Sequence, residues 1–157
     1  MVGNTNRPKG LLPVRKTGYV FLPHTTDAYI EAVGSTLEEA MQFAGMALVD
    51  TMCVINSISP ETTEQIKVSG DDEVTLLYDW LESILLKFDL EGRVYSKFKV
   101  SPIEKSPAGL RAIADVSGER YDRRKHGTKV EVKAVTYHKM EVLREDNLTI
   151  LRFILDL

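Results

Sequence analysis

Two aspartates stand where carboxylate chemistry is at issue. Asp27 closes a short His24-Thr25-Thr26-Asp27 stretch, and Asp156 sits in TILRFILDL, a run otherwise made mostly of Ile, Leu and Phe. An aspartate in so apolar a strand must lie at its exposed end, be paired, or be bound to a cation. The α-carboxylate of Leu157 lies one residue further on. Two carboxylates that close repel unless something positive sits between them. Hard divalent cations take oxygen ligands. One reading is therefore Mg²⁺ or Ca²⁺ held by Asp156, the Leu157 carboxylate and a third donor such as Asp27. The plain alternatives are a solvated terminus and a turn aspartate bonding its own backbone.

Other candidates carry less. His24, His126 and His138 are not spaced as a helical zinc pair. Cys53, between Met52 and Val54, is a small buried hydrophobe or a nucleophile. Arg123, Arg124, Lys125 and Lys129 surround His126 with positive charge. Such a run is a solvated loop, or a contact for an acidic partner or a phosphate. Lys133 alternates with Val132 and Ala134, which places it on an outward strand face or on a functional one. Asp50 borders the apolar stripe of a helix and reads as solvated. Phosphate-binding glycine loops, HExxH and a GxSxG elbow are missing from the sequence. No nucleophile or general base accompanies the carboxylates, which weighs against a small metal-dependent phosphohydrolase.

The elements that must position these residues follow from composition and pattern. The chain has 157 residues, 20 Lys and Arg against 23 Asp and Glu, and one cysteine. That length suits one domain of roughly 100–200 residues. A single cysteine excludes an internal disulfide framework and a multi-cysteine zinc site. A mildly acidic balance argues against non-specific duplex binding. Charges interrupt every apolar stretch, so no membrane span or export segment is expected, and the default is a soluble cytoplasmic protein. Residues 1–16, rich in Gly, Pro, Asn and basic side chains, are expected as a flexible lead-in to a domain over 17–157.

Strands are expected at Thr17–Pro23, Ala28–Val33, Glu64–Ser69, Val94–Glu104, Leu110–Val116, Lys129–Leu143 and Thr149–Leu157. The sixth should bulge or break near Thr136–His138. Leu37, Ala40, Met41, Ala44, Leu48 and Met52 repeat at three and four, predicting a helix capped by Ser35 or Thr36. Val74, Leu77, Tyr78, Leu81, Ile84, Leu85 and Phe88 predict a second helix after Gly70-Asp71-Asp72, ending near Asp89–Gly92. Tyr121–Gly127 is expected as a polar loop. The class is α+β: mostly antiparallel sheet or sheets with two main helices packed on a face.

Four segments in this order resemble the archease family. They are YVFLPHTTDAYIEAVGSTLEEAMQFAGMAL, GDDEVTLLYDWLESILLKFDLEG, KHGTKVEVKAVTYHKMEV and the closing ILDL. The match runs in one register from about Gly18 to Leu157. The resemblance implies a compact α+β sandwich and a protein cofactor rather than a stand-alone enzyme. Its partner would be the GTP-dependent RNA-splicing ligase of tRNA maturation, with RNA touched only indirectly if at all. The cofactor promotes guanylylation of a ligase histidine and repeated turnover. The resemblance also implies a divalent metal site at Asp27, Asp156 and Leu157. It gives Lys133 a role in ligase activation, with His24 and His126 as further candidate contacts to partner or nucleotide. A second role implied for the family is that of chaperone or modulator of a tRNA-modifying enzyme such as a methyltransferase. Two departures stand out. Pro23 replaces the family's acidic residue, and Thr26 replaces an alanine.

Overall fold

The computed structural model describes residues 15–157. Its first helix, α1 (Leu37–Met52), starts for a local reason. Thr36 has an extended backbone, and its Oγ1 accepts the Glu39 N–H at 3.1 Å. That satisfies one of the amides a helix start leaves unpaired. The second helix, α2 (Glu73–Glu91), opens with a reciprocal cap: Asp72 Oδ1 accepts the Thr75 N–H, and Thr75 Oγ1 accepts the Asp72 N–H. Gly92 ends it in the left-handed region at φ 63°, a conformation that favours glycine.

Eight strands surround these helices: β1 (Gly18–Leu22), β2 (Ala28–Gly34), β3 (Thr62–Gly70), β4 (Arg93–Val100), β5 (Glu104–Ser106), β6 (Gly109–Arg120), β7 (Ala134–Glu145) and β8 (Leu148–Asp156). They form two antiparallel sheets, one ordered β1-β2-β8-β7 and one ordered β3-β6-β4 with β5 added to β6. The helices lie between the sheets. α1 packs on β2 and β8 on one side and on β4 on the other, and α2 packs on β7 and β3. The expected α+β class holds, and each helix buries apolar surface against both sheets.

Trp80 of α2 is fully buried, and its indole N–H donates to the Met41 carbonyl of α1 at 2.7 Å. Phe98 meets the Trp80 ring edge-on at 6.0 Å. Gly34 sets how closely α1 follows β2, because a Cβ there would stand 2.3 Å from the Ala40 nitrogen.

On the outward face of the first sheet, Glu31, Arg152 and Glu141 are paired directly across β2, β8 and β7. Arg152 Nε reaches Glu31 at 2.8 Å, and Arg15 reaches it at 2.5 Å. Arg15, near the end of the expected lead-in, thus contacts the sheet through its side chain. Residues 1–14 lie outside the described residues.

Two expectations are corrected. Lys129–Lys133 alternate like a strand but join no ladder. Isolated backbone bonds tie the segment down, Lys129 N–H to the Met52 carbonyl at 2.9 Å and Lys133 N–H to the Asp156 carbonyl at 2.7 Å. β7 begins at Ala134, and its register shifts between Thr136 and Glu141, the expected irregularity. In the expected loop Tyr121–Gly127, Arg123–His126 make one helical turn, α3.

Candidate functional site

β2 starts at Ala28 and β8 ends at Asp156, and Ala28 pairs with Leu155. Asp27 and Asp156 are the next positions outward, so this register sets them opposite each other at one end of the sheet. On the other side of β8, Ala134 pairs with Asp156. The Lys133 N–H that bonds the Asp156 carbonyl brings a third segment to the same place. Asp156 and Lys133 are exposed, and Leu157 packs its side chain partly on the core.

His24 organises the approach to Asp27. Its Nδ1 accepts the Asp27 N–H at 3.3 Å and lies 4.0 Å from Oδ2. The ring meets Tyr29 edge-on at 6.1 Å. Among the described residues, no Lys or Arg pairs with either Asp27 or Asp156. Nor do three His, Cys, Asp or Glu side chains gather as a metal cluster among them. The candidate side-chain donors are the Asp27 and Asp156 carboxylates. The side-chain donors are oxygen, the type that suits a hard divalent cation rather than a soft one.

The structure corrects the reading of His126. It is fully buried. Its Nδ1 accepts the Asp122 N–H at 2.9 Å, and its Nε2 faces Glu119 at 3.0 Å, so the ring is the tautomer protonated on Nε2. Tyr121 stacks on it at 5.8 Å. With both nitrogens used and no surface exposed, the ring positions α3 from inside and presents no face to solvent. Glu119 also takes Lys125 Nζ at 2.7 Å and the Ser59 N–H at 2.6 Å. The Lys125 bond, then the Ser59 amide, then His126 hold its carboxyl down at about 2.

Asp50 is a correction of another kind, since it is not a plain solvated residue. Tyr19 donates to its Oδ2 at 3.0 Å, and Lys129 Nζ reaches its Oδ1 at 2.7 Å and its carbonyl at 2.9 Å. Burial, then the Asp50 bond, pushes the Tyr19 phenol to about 12. No local signal announces this trio, because Lys129 lies 79 residues from Asp50. Cys53 is fully buried at the end of α1, and burial pushes its thiol to about 11. It is a packing residue, not an activated nucleophile.

This arrangement can be set beside known proteins. The model of the Archease protein family matches residues 19–157. The chain belongs to the archease family. A protein archease from Sulfurisphaera tokodaii is 36% identical over 139 residues, covering 88% of this chain and 98% of its own length. One from Methanothermobacter thermautotrophicus is 38% identical, covering 89% of this chain and 99% of its own. The solution structure of Methanobacterium thermoautotrophicum protein 1598 superposes with a TM-score of 0.77 at 34% identity, over 89% of this chain and 99% of that one. A Thermotoga maritima protein described as an archease, possible chaperone, shares the fold at 18% identity and a TM-score of 0.56. In this archease the His-Thr-Thr-Asp turn, the Lys133 segment and the end of β8 are far apart in sequence and meet at one tip. No described helix is long and apolar enough to cross a membrane.

Proposed function

We propose that this archease activates the GTP-dependent RNA-splicing ligase by presenting a divalent cation at the tip formed by Asp27, Asp156 and the Leu157 carboxylate. The observation that carries this is the register that sets Asp27 opposite Asp156, with no Lys or Arg partner for either among the described residues. When bound, a divalent cation neutralises triphosphate charge during phosphoryl transfer. The chain's own groups do the rest. The His24 ring accepts the Asp27 amide and fixes the turn on which that carboxylate stands. Lys133, anchored by its backbone to Asp156, offers an exposed ammonium to ligase or nucleotide phosphate. The protein works as a cofactor and needs no nucleophile of its own.

The test is guanylylation and multiple-turnover RNA joining by the cognate ligase, with wild-type protein and with Asp156→Ala. Stimulation by the wild type that the substitution abolishes is expected. Stimulation that survives Asp156→Ala removes the metal mechanism and keeps the partner. A second reading is that of chaperone or modulator of a tRNA-modifying enzyme such as a methyltransferase. It draws on the Thermotoga maritima relative, described as a possible chaperone. It gains ground if the ligase is not stimulated at all.

A further inference from the structure

The tip is not the only organised feature at that end of the molecule. The carbonyl of Met52, the last residue of α1, accepts the Lys129 N–H four residues before Lys133, whose N–H bonds Asp156, so the end of α1 lies near the tip. From there the segment Gly127–Lys133 crosses the end of the fold, bonded to Met52 at one point and to Asp156 at the other. It begins at α3, where Arg123 and Arg124 are exposed and their side chains meet no carboxylate among the described residues. Lys125 and Lys129, their basic neighbours, are already paired with Glu119 and Asp50. Two aliphatic side chains stand open beside this turn, Val54 at 45% exposure and Val130 at 43%. The Val54 N–H donates to the His126 carbonyl at 2.9 Å, which fixes Val54 against α3, and Val130 follows Lys129, whose N–H bonds the Met52 carbonyl.

We propose that Arg123, Arg124, Val54 and Val130, continuing to Lys133, form the surface on which the protein partner docks, and that the matching partner surface is acidic around an apolar patch. This rests on the ligase-activator reading and adds the contact that would seat the tip. Three observations favour a protein over RNA. Arg is the cation enriched at protein interfaces, and two arginines are exposed here with no carboxylate partner among the described residues. No exposed aromatic ring stands among these residues to stack bases, as single-stranded RNA sites use. The two arginines also sit in a chain of net charge −3, so their charge is local rather than a general attraction for polyanions.

The turn is built to hold its shape. A four-residue helix has no stability of its own. This one is pinned from inside by buried His126, by the Asp122 side chain accepting the Arg124 N–H at 2.9 Å, and by Lys125 reaching Glu119 and Ser59. The Tyr121 hydroxyl adds a bond to the Gly127 carbonyl at 2.6 Å. So many internal bonds keep the two arginines in one place before binding, which lowers the ordering cost of association.

The experiment measures affinity of the full-length protein for the purified ligase and, separately, for a labelled single-stranded RNA. It compares wild type with the double variant Arg123→Glu/Arg124→Glu and with Val130→Asp, at low and high salt. The double variant should bind the ligase about ten- to a hundredfold more weakly, since close interfacial charges couple strongly. Its loss should shrink at high salt, and its Ca²⁺-induced rise in Tm should match the wild type, showing an intact tip. Val130→Asp should weaken ligase binding without altering RNA binding. Ligase affinities within twofold of wild type for both variants overturn the surface and leave the activator reading standing. Loss of RNA binding with ligase binding intact overturns it in favour of RNA. Failure of the wild type to bind the ligase overturns both proposals together.

Discussion

Asp27 and Asp156 lie at the same end of the β2–β8 pair, each one position beyond the Ala28–Leu155 partners, and no Lys or Arg among the described residues pairs with either. Two such charges repel across a strand spacing. Without divalent cations, Asp27→Asn should therefore raise Tm by about 1–3 °C, in proportion to an exposed pair interaction. Saturating Ca²⁺ or Mg²⁺ should raise the Tm of the wild type and not of the variant, because only a folded state that binds the ion gains from it. Thermal melts with and without chelator check both. A variant that responds to the ion like the wild type would remove Asp27 from the site.

Glu119 supplies a pH dependence with a definite sign. Its folded carboxyl is held at about 2 against an ordinary value of 4.5. A lowered folded value means the contribution is complete above about pH 4.5 and is lost as pH falls towards 2. Glu119→Gln should be less stable than wild type at neutral pH, and the gap should narrow on acidification through that window. Urea unfolding at a series of pH values reads the gap, and a constant gap would contradict the assignment.

Trp80 joins the two helices through one polar contact in an apolar layer. Trp80→Phe leaves the Met41 carbonyl without its indole donor and opens space in a packed core. The loss should be about 2–3 kcal/mol, since an orphaned buried acceptor and a partial cavity act together. Tm should fall by roughly 5–10 °C for a domain of this size.

Cys53 should be inert while the protein is folded. Its thiol is fully buried and pushed to about 11, so little thiolate forms at neutral pH. Ellman's reagent should react at the rate of unfolding and quickly in denaturant. Fast reaction of the native protein would show that this end of α1 opens.

Much of the fold is legible in the sequence because its signals are local. Thr36 and Asp72 announce helix starts by residue type, and Gly92 announces a stop. The apolar stripes between them need no tertiary information. The partition of strands into two sheets is different. β8 pairs with β2 across the whole chain, with Arg152 and Glu31 121 residues apart, and nothing in either segment names the other. Alternation misleads at Lys129–Lys133. A strand would put Val130 and Val132 on one face, yet Val132 is buried and Val130 exposed, and no neighbour supplies a ladder. Composition misleads at His126, because a polar run around a histidine reads as solvated and the turn folds that one ring inward. At the site, charge reasoning raised the aspartates and resemblance singled them out, while Asp50 with Lys129 and Glu119 with Ser59 became visible only through long-range contacts.

The pairing of β2 with β8 also constrains the order of folding. β8 bonds on one side to its neighbour β7 through the short turn at Asp146 and Asn147, both at positive φ, and on the other to a strand more than a hundred positions earlier. The near contact closes a loop of a few residues, and the far one must close almost the whole chain. The short closures of β1–β2 and β7–β8 can thus come early, and the zippering of the two hairpins is the late, slow event. A topology dominated by distant pairs folds in milliseconds to seconds rather than microseconds. In pulse-labelling hydrogen exchange, β7–β8 amides should gain protection ahead of the bonds that join β2 to β8. The two aspartates would come together only in that last step.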